Sequence, residues 1–144
     1  MPYVPFFAGE TVTAGKLNSR LIEEVMEWTP WASIGSFATN FTANSGNPPM
    51  MRKIKVLGVE RWEYTGRIQV AALTANTDTL AFTFNANYRP VAERGWPNVG
   101  AVSAFYSVRV TLQTTGQVRV GVPTAAGAGT NAIILDGLCI DDPL

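Results

Sequence analysis

The sequence predicts a mainly β fold, an antiparallel β-sandwich of the jelly-roll type, preceded by an extended arm and one short α-helix. Two observations support the β-body. Beyond Pro30, apolar and polar residues alternate with a period of about two in one run after another. Turn-forming segments separate these runs at short intervals, as in sandwiches and jelly rolls. A third observation, a single stretch with a period of about 3.6 ahead of Pro30, indicates the helix.

The chain of 144 residues is long enough to bury one core and too short for two. We therefore assign residues 1–12 to an extended N-terminal arm, 13–29 to a helix and 30–144 to one β-sandwich domain. Pro2, Pro5 and Gly9 favour an extended conformation over a regular element in the arm. An arm of this kind is expected to dock on another surface.

The predicted helix carries an apolar stripe at spacings of four, four and three residues, formed by Leu17, Leu21, Val25 and Trp28, and widened by Ile22. A helix of this length is marginal in isolation, so packing must stabilise it. Two arrangements remain open. The stripes of three copies could bury one another in a parallel bundle, making this the oligomer interface of a homotrimer, or the helix could cover its own sheet.

The β-body is predicted from its alternating runs. The clearest pair is a hairpin with its turn at residues 114–116. Asp136 and Gly137 interrupt the last run as either a turn or a bulge. Two loop-rich stretches, 39–49 and 123–131, are expected at the surface. The apolar positions of the runs are Ile54, Val56, Ile68, Val70, Leu80, Phe82, Phe84, Val108, Val110, Leu112, Val118, Val120 and Val122.

Composition argues against several classes of function. Eleven basic and eleven acidic residues cancel, which leaves no electrostatic footprint for nucleic acid. No apolar run approaches the roughly 18 residues of a membrane span, and no signal peptide is evident, so we expect no membrane insertion and synthesis in a cytoplasm. The chain has no histidine and one cysteine, which excludes a Ser-His-Asp triad and makes zinc improbable. We expect no metal and no cofactor.

Carboxylate pairs are the remaining catalytic option, and none is marked by its surroundings. Glu60 and Glu63 are three apart on a predicted strand and so should lie on opposite faces. We therefore predict that the protein is not an enzyme. The other candidates for a catalytic carboxylate are Glu93, Asp136, Asp141 and Asp142.

Three further predictions concern single side chains. Cys139 lies between Leu138 and Ile140 and is expected to be a buried structural thiol. Arg109 and Arg119 are expected to form a solvated face rather than an anion site. A carbohydrate-binding module would need exposed aromatic and amide groups, and the positions to inspect for glycan contact are Asn40, Asn44 and Trp96, the last in a predicted loop.

Several segments, taken in order, resemble small minor tail proteins and fibre proteins of tailed bacteriophages. The N-terminal part of the likeness is Phe7-Ala8-Gly9-Glu10, Thr13-Ala14 and Leu17-Asn18. The β-rich part is Arg52-Lys53-Ile54, Val59, Gly66-Arg67-Ile68, Tyr88-Arg89-Pro90, Val110-Thr111-Leu112, Gly116-Gln117-Val118 and Ile134-Leu135-Asp136-Gly137-Leu138. The likeness covers most of the chain. It departs where Gly15 lies in the first helical turn and where residues 141–144 extend past the usual aromatic ending.

The resemblance implies a virion structural protein, a homotrimer in many relatives, assembled in the host cytoplasm. It implies a minor tail or fibre protein that attaches to other virion proteins through its N-terminus and displays a β-domain for host-surface binding. A host cell-surface glycan is a candidate partner. A capsid decoration or head fibre is the alternative location, and a carbohydrate-binding receptor module is a second alternative function. The apolar residues expected to dock on the virion are Tyr3, Val4, Phe6 and Phe7.

Overall fold

A computed structural model describes residues 8–9, 11, 13–15, 21–101, 105–123 and 129–144 of the chain. In these ranges the chain forms β-strands and two 3-10 turns, at Trp31–Ser33 and Ala86–Tyr88, and Ala14, Gly15 and Leu21 have a helical conformation. The strands are β1 (Ile22–Pro30), β2 (Gly35–Phe37), β3 (Phe41–Ala43), β4 (Met50–Val56), β5 (Val59–Thr65), β6 (Arg67–Val70), β7 (Thr79–Phe84), β8 (Arg94–Ala101), β9 (Phe105–Leu112), β10 (Gln117–Gly121), β11 (Ala132–Ile134) and β12 (Cys139–Asp141).

The strands form two antiparallel sheets, which confirms the predicted fold class. The small sheet has the order β1-β4-β5-β12, and the large sheet has the order β2-β7-β10-β9-β8-β11-β6-β3. Its two edge strands, β2 and β3, are separated in sequence only by residues 38–40. A chain that short spans at most about 14 Å, so the large sheet must curl until its edges approach each other, as in a barrel.

The core lies between the two sheets. Trp62, Met51 and Phe82 are fully buried, and the Trp31 ring sits among the aromatic side chains of both sheets. The centre of that ring lies 6.0 Å from Tyr64 of the small sheet and 4.8 Å from Phe84 of the large sheet. Large rings of this kind dominate the apolar area that a small domain can bury.

Local turn chemistry agrees with two of the predictions. β9 and β10 form the predicted hairpin, where the Gly116 N–H donates to the Gln113 carbonyl and Gly116 has a φ of +84° that favours glycine. Asp136 and Gly137 form a turn and not a bulge. This turn takes the chain from β11 in the large sheet to β12 in the small one.

The predicted helix at 13–29 is wrong for residues 22–29, which belong to strand β1 and pair with β4. The register of β1 shifts between Glu24 and Met26 and again between Met26 and Thr29. Each shift adds a residue to the alternation, so a bulged strand acquires helix-like spacings of three and four. Leu17 and nearly all of the arm at 1–12, including Tyr3, Val4, Phe6 and Phe7, lie outside the described residues.

Two predictions of environment are also wrong. Cys139 is exposed, because alternation in β12 places the neighbouring Ile140 in the core and turns Cys139 to the other side. The polar stretch 39–49 is not wholly a surface loop, since it contains β3, whose Phe41 is 3% exposed.

Candidate ligand-binding clefts

In the part of the chain that the structure describes, one cleft lies beside β7, β9 and β10 of the large sheet and has a volume of about 480 Å³. We call it the Arg109 cleft. It is positioned by the segment that leads into β7 and by the ends of the two strands of the hairpin. Its lining residues are Asn76, Thr77, Asp78, Ser107, Arg109, Gly121, Val122 and Pro123.

Asp78 organises the charges at the Arg109 cleft. Its Oδ1 accepts a hydrogen bond from Arg109 Nη2 at 2.9 Å, and its Oδ2 accepts one from Arg119 Nε at 3.0 Å. Partial burial acts to raise the pKa of the Asp78 carboxyl, but the two guanidinium groups outweigh it and hold the pKa below its ordinary value. Asp78 is therefore a charged anchor and not a proton donor.

The two arginines differ in what they can offer a ligand. Arg119 also donates through Nη1 to Gln117 and through Nη2 to the Asp78 carbonyl. Arg109 has a side chain 65% exposed, and its hydrogen bond to Asp78 uses only Nη2. Its Nε and Nη1 keep donor capacity toward the cleft. Two arginines against one aspartate give this trio a formal charge of +1.

The second cleft lies on the outer face of the small sheet, the face turned away from the large sheet, and has a volume of about 370 Å³. We call it the Trp28 cleft. The pairing β1-β4-β5-β12 brings its parts together from positions far apart in sequence. Its lining residues are Trp28, Arg61, Glu63, Tyr64, Thr65, Gly137, Leu138 and Cys139.

Two ion pairs border the Trp28 cleft. The Arg52 guanidinium lies 4.8 Å from the centre of the Trp28 ring and contacts Glu63 Oε2 through Nε at 2.7 Å and Nη2 at 2.6 Å. Arg61 Nε donates to Asp141 Oδ1 at 2.5 Å. The outer face thus presents one aromatic ring and two charge-balanced pairs.

The predicted glycan-contact residues are not brought together. Asn44 is engaged in an Asx turn, since its Oδ1 accepts from the Gly46 and Asn47 N–H groups, and its Nδ2 donates to Gln69. Asn40 is exposed at the other end of β3 with a φ of +71°. Trp96 is not in a loop: it lies in β8, half-buried, with its ring 6.2 Å from that of Tyr64.

The predicted interface residues divide into two groups along β1. Trp28 lines the Trp28 cleft, while Ile22 and Val25 lie toward the other end of the sheet, where β4 turns into β5. Leu21 precedes them and is half-buried. Ile22 and Val25, together with the β4–β5 turn, form an exposed apolar group that we call the apolar end; Leu21 is not counted in it. Its members and exposed fractions are Ile22 (49%), Val25 (45%), Leu57 (70%) and Val59 (52%).

Among the described carboxylates, Glu63 and Asp141 lie on the same outer face of the small sheet, each in an ion pair with an arginine. Glu60 and Glu63 do lie on opposite faces of β5, as predicted: Glu60 accepts a hydrogen bond from Trp62 Nε1, and Glu63 faces outward. Hydrogen bonds to Asp136 from Thr65 Oγ1 and the Gly66 N–H lower the pKa of that carboxyl, the opposite of what a general acid needs.

The described residues include no group of three or more histidine, cysteine, aspartate or glutamate side chains placed to bind a metal ion. Within the same ranges, no helix has the length and apolar character needed to cross a membrane.

Comparison with solved structures shows that this fold occurs in phage receptor-binding proteins. One similar structure is the receptor-binding protein gp15 of Listeria phage PSA, with a TM-score of 0.56 at 14% identity over 83% of this chain; the chain spans 64% of that protein. Another is the head domain of phage bIL170, described with the receptor-binding domains of lactococcal phages. It has a TM-score of 0.56 at 15% identity, covering 83% of this chain and 98% of that domain. No protein-family model and no curated protein sequence matches.

Proposed function

We propose that this chain is a non-enzymatic receptor-binding domain of a tailed-phage virion that attaches the particle to its bacterial host. The observation that carries the proposal is the fold shared with 98% of the bIL170 head domain. The chain contributes a β-body with open clefts, and the two carboxylates beside the second cleft, Glu63 and Asp141, are each neutralised by an arginine. Such a surface is suited to binding rather than to bond cleavage.

The Arg109 cleft is the surface we assign to host contact. Its volume falls within the range of about 300–1,000 Å³ that is typical of small-molecule sites. Asn76, Ser107 and Arg109 supply hydrogen-bonding groups. The formal charge of +1 on Asp78 and its two arginines favours a ligand with an anionic substituent. A cell-surface glycan that carries acidic groups has this chemistry.

Binding of the fluorescently labelled chain to intact host cells tests this assignment. Arg109→Ala should reduce binding at least tenfold, whereas the exposed Arg67→Ala, on a different part of the large sheet, should leave it unchanged. Periodate oxidation of the cells should abolish binding if the receptor is a glycan. Equal binding by wild type and Arg109→Ala would contradict the role of the cleft, and no binding of the wild type to any host cell would contradict the function.

We further propose that the protein works as a homotrimer, with the apolar end at the contact between copies. Four large apolar side chains that are about half or more exposed would gain roughly 1 kcal/mol or more each on burial. Sedimentation equilibrium should give three times the chain mass for wild type. Val25→Lys should dissociate the assembly, and Val91→Lys, at an exposed valine outside the apolar end, should not. A monomeric wild type would contradict the proposal.

We place the N-terminal arm, with Tyr3, Val4, Phe6 and Phe7, at the attachment to other virion proteins, and the tail as the location. A capsid decoration is the alternative. Antibody labelling of intact particles in electron microscopy separates them, since label on capsids without tails would favour the capsid. Deletion of residues 1–12 should leave the folded domain and its host binding intact and remove it from the particles.

A further inference from the structure

We infer that the Trp28 cleft is a second binding site, independent of the Arg109 cleft, and that it takes an uncharged pyranose ring. The two clefts belong to different sheets and share no lining residue. The inference goes beyond the proposed host contact at Arg109, because it would hold even if that cleft bound nothing.

One wall of the cleft supplies an apolar platform. The Trp28 ring lines the cleft together with Leu138. The Arg52 guanidinium lies over one face of the Trp28 ring and is itself fixed by its contacts to Glu63, so a ligand would stack on the opposite face. An aromatic ring whose neighbours are already ordered loses little conformational freedom when a ligand stacks on it. Sugar rings present such an apolar face in their axial C–H groups.

The rim supplies a donor and an acceptor. Both Arg52 contacts go to Oε2 of Glu63, so Oε1 keeps acceptor capacity. The Arg61 contact to Asp141 uses Nε, so the terminal nitrogens of Arg61 keep donor capacity. A carboxylate oxygen and guanidinium N–H groups beside an aromatic platform match the neighbouring hydroxyl groups of a pyranose, each of which can donate and accept.

The charge balance selects an uncharged ligand. Two arginines, Arg52 and Arg61, are paired with two carboxylates, Glu63 and Asp141, so the rim has a formal charge of zero. A charged ligand would have to compete with one of these pairs or remain uncompensated. This distinguishes the Trp28 cleft from the Arg109 cleft, where the formal charge of the trio is +1.

Cys139 provides a direct probe of the site. It lines the cleft, is exposed and is the only cysteine of the chain. The rate of its alkylation by iodoacetamide can be measured with and without the methyl glycosides of glucose, galactose, N-acetylglucosamine and rhamnose. Single sugar rings bind weakly, so each is used at up to about 50 mM, well above a Kd of about 1 mM, which corresponds to only about −4 kcal/mol.

We expect at least one glycoside to slow alkylation threefold or more, and Trp28→Ala to remove the protection. Glu63→Gln should weaken it, and Arg109→Ala should leave it unchanged. Thermal unfolding of each variant verifies that it is folded, and the Trp28 indole N–H signal in NMR gives a second readout for wild type that does not depend on a variant.

Three results would overturn the inference. The first is that no glycoside slows alkylation, and the second is that protection persists in Trp28→Ala. The third is that Cys139 reacts only on dissociation of the oligomer, which would mean that a second copy covers the cleft. Loss of host-cell binding in Arg109→Ala together with any of these results would leave the proposed function standing and remove only the Trp28 site.

Discussion

The Lys53 ammonium group lies 4.6 Å from the centre of the Trp62 ring. The centre of the Tyr88 ring is 4.7 Å from the same ammonium group, and Nζ donates a hydrogen bond to the Asn87 carbonyl at 2.7 Å. Lys53 belongs to β4 of the small sheet, whereas Tyr88 closes the 3-10 turn that follows β7 of the large sheet. One side chain thus ties the two sheets together, and its partial burial lowers its pKa.

Lys53→Ala should lower the free energy of unfolding by about 1–2 kcal/mol, because it removes two cation–π contacts and a hydrogen bond. Lys55→Ala is the matched control, two residues along the same strand, and should change it by less than about 0.5 kcal/mol. Urea denaturation measures both. Equal effects of the two variants would show that the contacts of Lys53 contribute nothing beyond those of a surface lysine.

The Asp78 carboxylate should make stability depend on acid pH. Its pKa is below the ordinary 3.8 in the folded state, so the folded form binds protons less readily than the unfolded chain. The stabilisation is present above that ordinary value and is lost as pH falls through the folded pKa. Asp78→Asn should cost about 1 kcal/mol at pH 7, a modest amount because the pairs with Arg109 and Arg119 are partly exposed.

The difference between wild type and Asp78→Asn should therefore shrink as the pH is lowered below 3.8 in denaturant titrations. Asp136 has a lowered pKa as well, so Asp78→Asn should retain part of the acid sensitivity of wild type. A difference that stayed constant between pH 7 and the lowest accessible pH would contradict the pairing of Asp78 with the arginines.

Gly66 should tolerate no side chain. Its φ is +87°, and a Cβ there would overlap the carbonyl oxygen of Pro48. Gly66→Ala should thus destabilise by about 3 kcal/mol or more, since left-handed strain and a backbone clash add. Gly137→Ala is a control with the same kind of backbone, φ +83°, and no atom within 4 Å of the added Cβ. It should cost only about 1–2 kcal/mol, and equal thermal shifts would contradict the clash.

Features that depend on neighbours in sequence could be predicted, and features that depend on distant pairing could not. The β9–β10 hairpin follows from two alternating runs joined by a turn that ends at Gly116. The same reasoning wrongly predicts a helix for β1. Two register shifts give this strand helical spacing, and only its pairing with β4 reveals a strand.

The two clefts could not be predicted for the same reason, because each combines residues that are far apart in sequence. Asp78 and Arg119 are 41 positions apart and meet only because β7 pairs with β10. Trp28, Glu63 and Cys139 come from three strands of the small sheet. Strand alternation correctly predicts that Glu60 and Glu63 lie on opposite faces, and so that one of them lies on the outer face. The same rule, applied with Ile140 in the core, predicts that Cys139 lies on the outer face.

The turn between β4 and β5 gives a prediction that separates stability from assembly. Val56 pairs with Val59 across the two-residue loop of Leu57 and Gly58, whose φ values are 53° and 84°. These values are typical of a type I′ turn, which favours asparagine and glycine, whereas leucine at positive φ is strained. Strain of this kind persists where a residue has another task. Leu57 is 70% exposed at the apolar end, so we propose it as a member of the contact in the proposed homotrimer.

Leu57→Asn should raise the free energy of unfolding of the isolated chain by about 1 kcal/mol, because asparagine tolerates the left-handed conformation and little buried area is lost. It should also weaken the proposed homotrimer. Leu57→Ala removes the apolar side chain but keeps the strain, so it should weaken assembly without stabilising the chain. Urea denaturation at low protein concentration and sedimentation equilibrium measure the two effects separately. Equal unfolding free energies of the two variants would contradict the strain, and unchanged association of both would remove Leu57 from the interface.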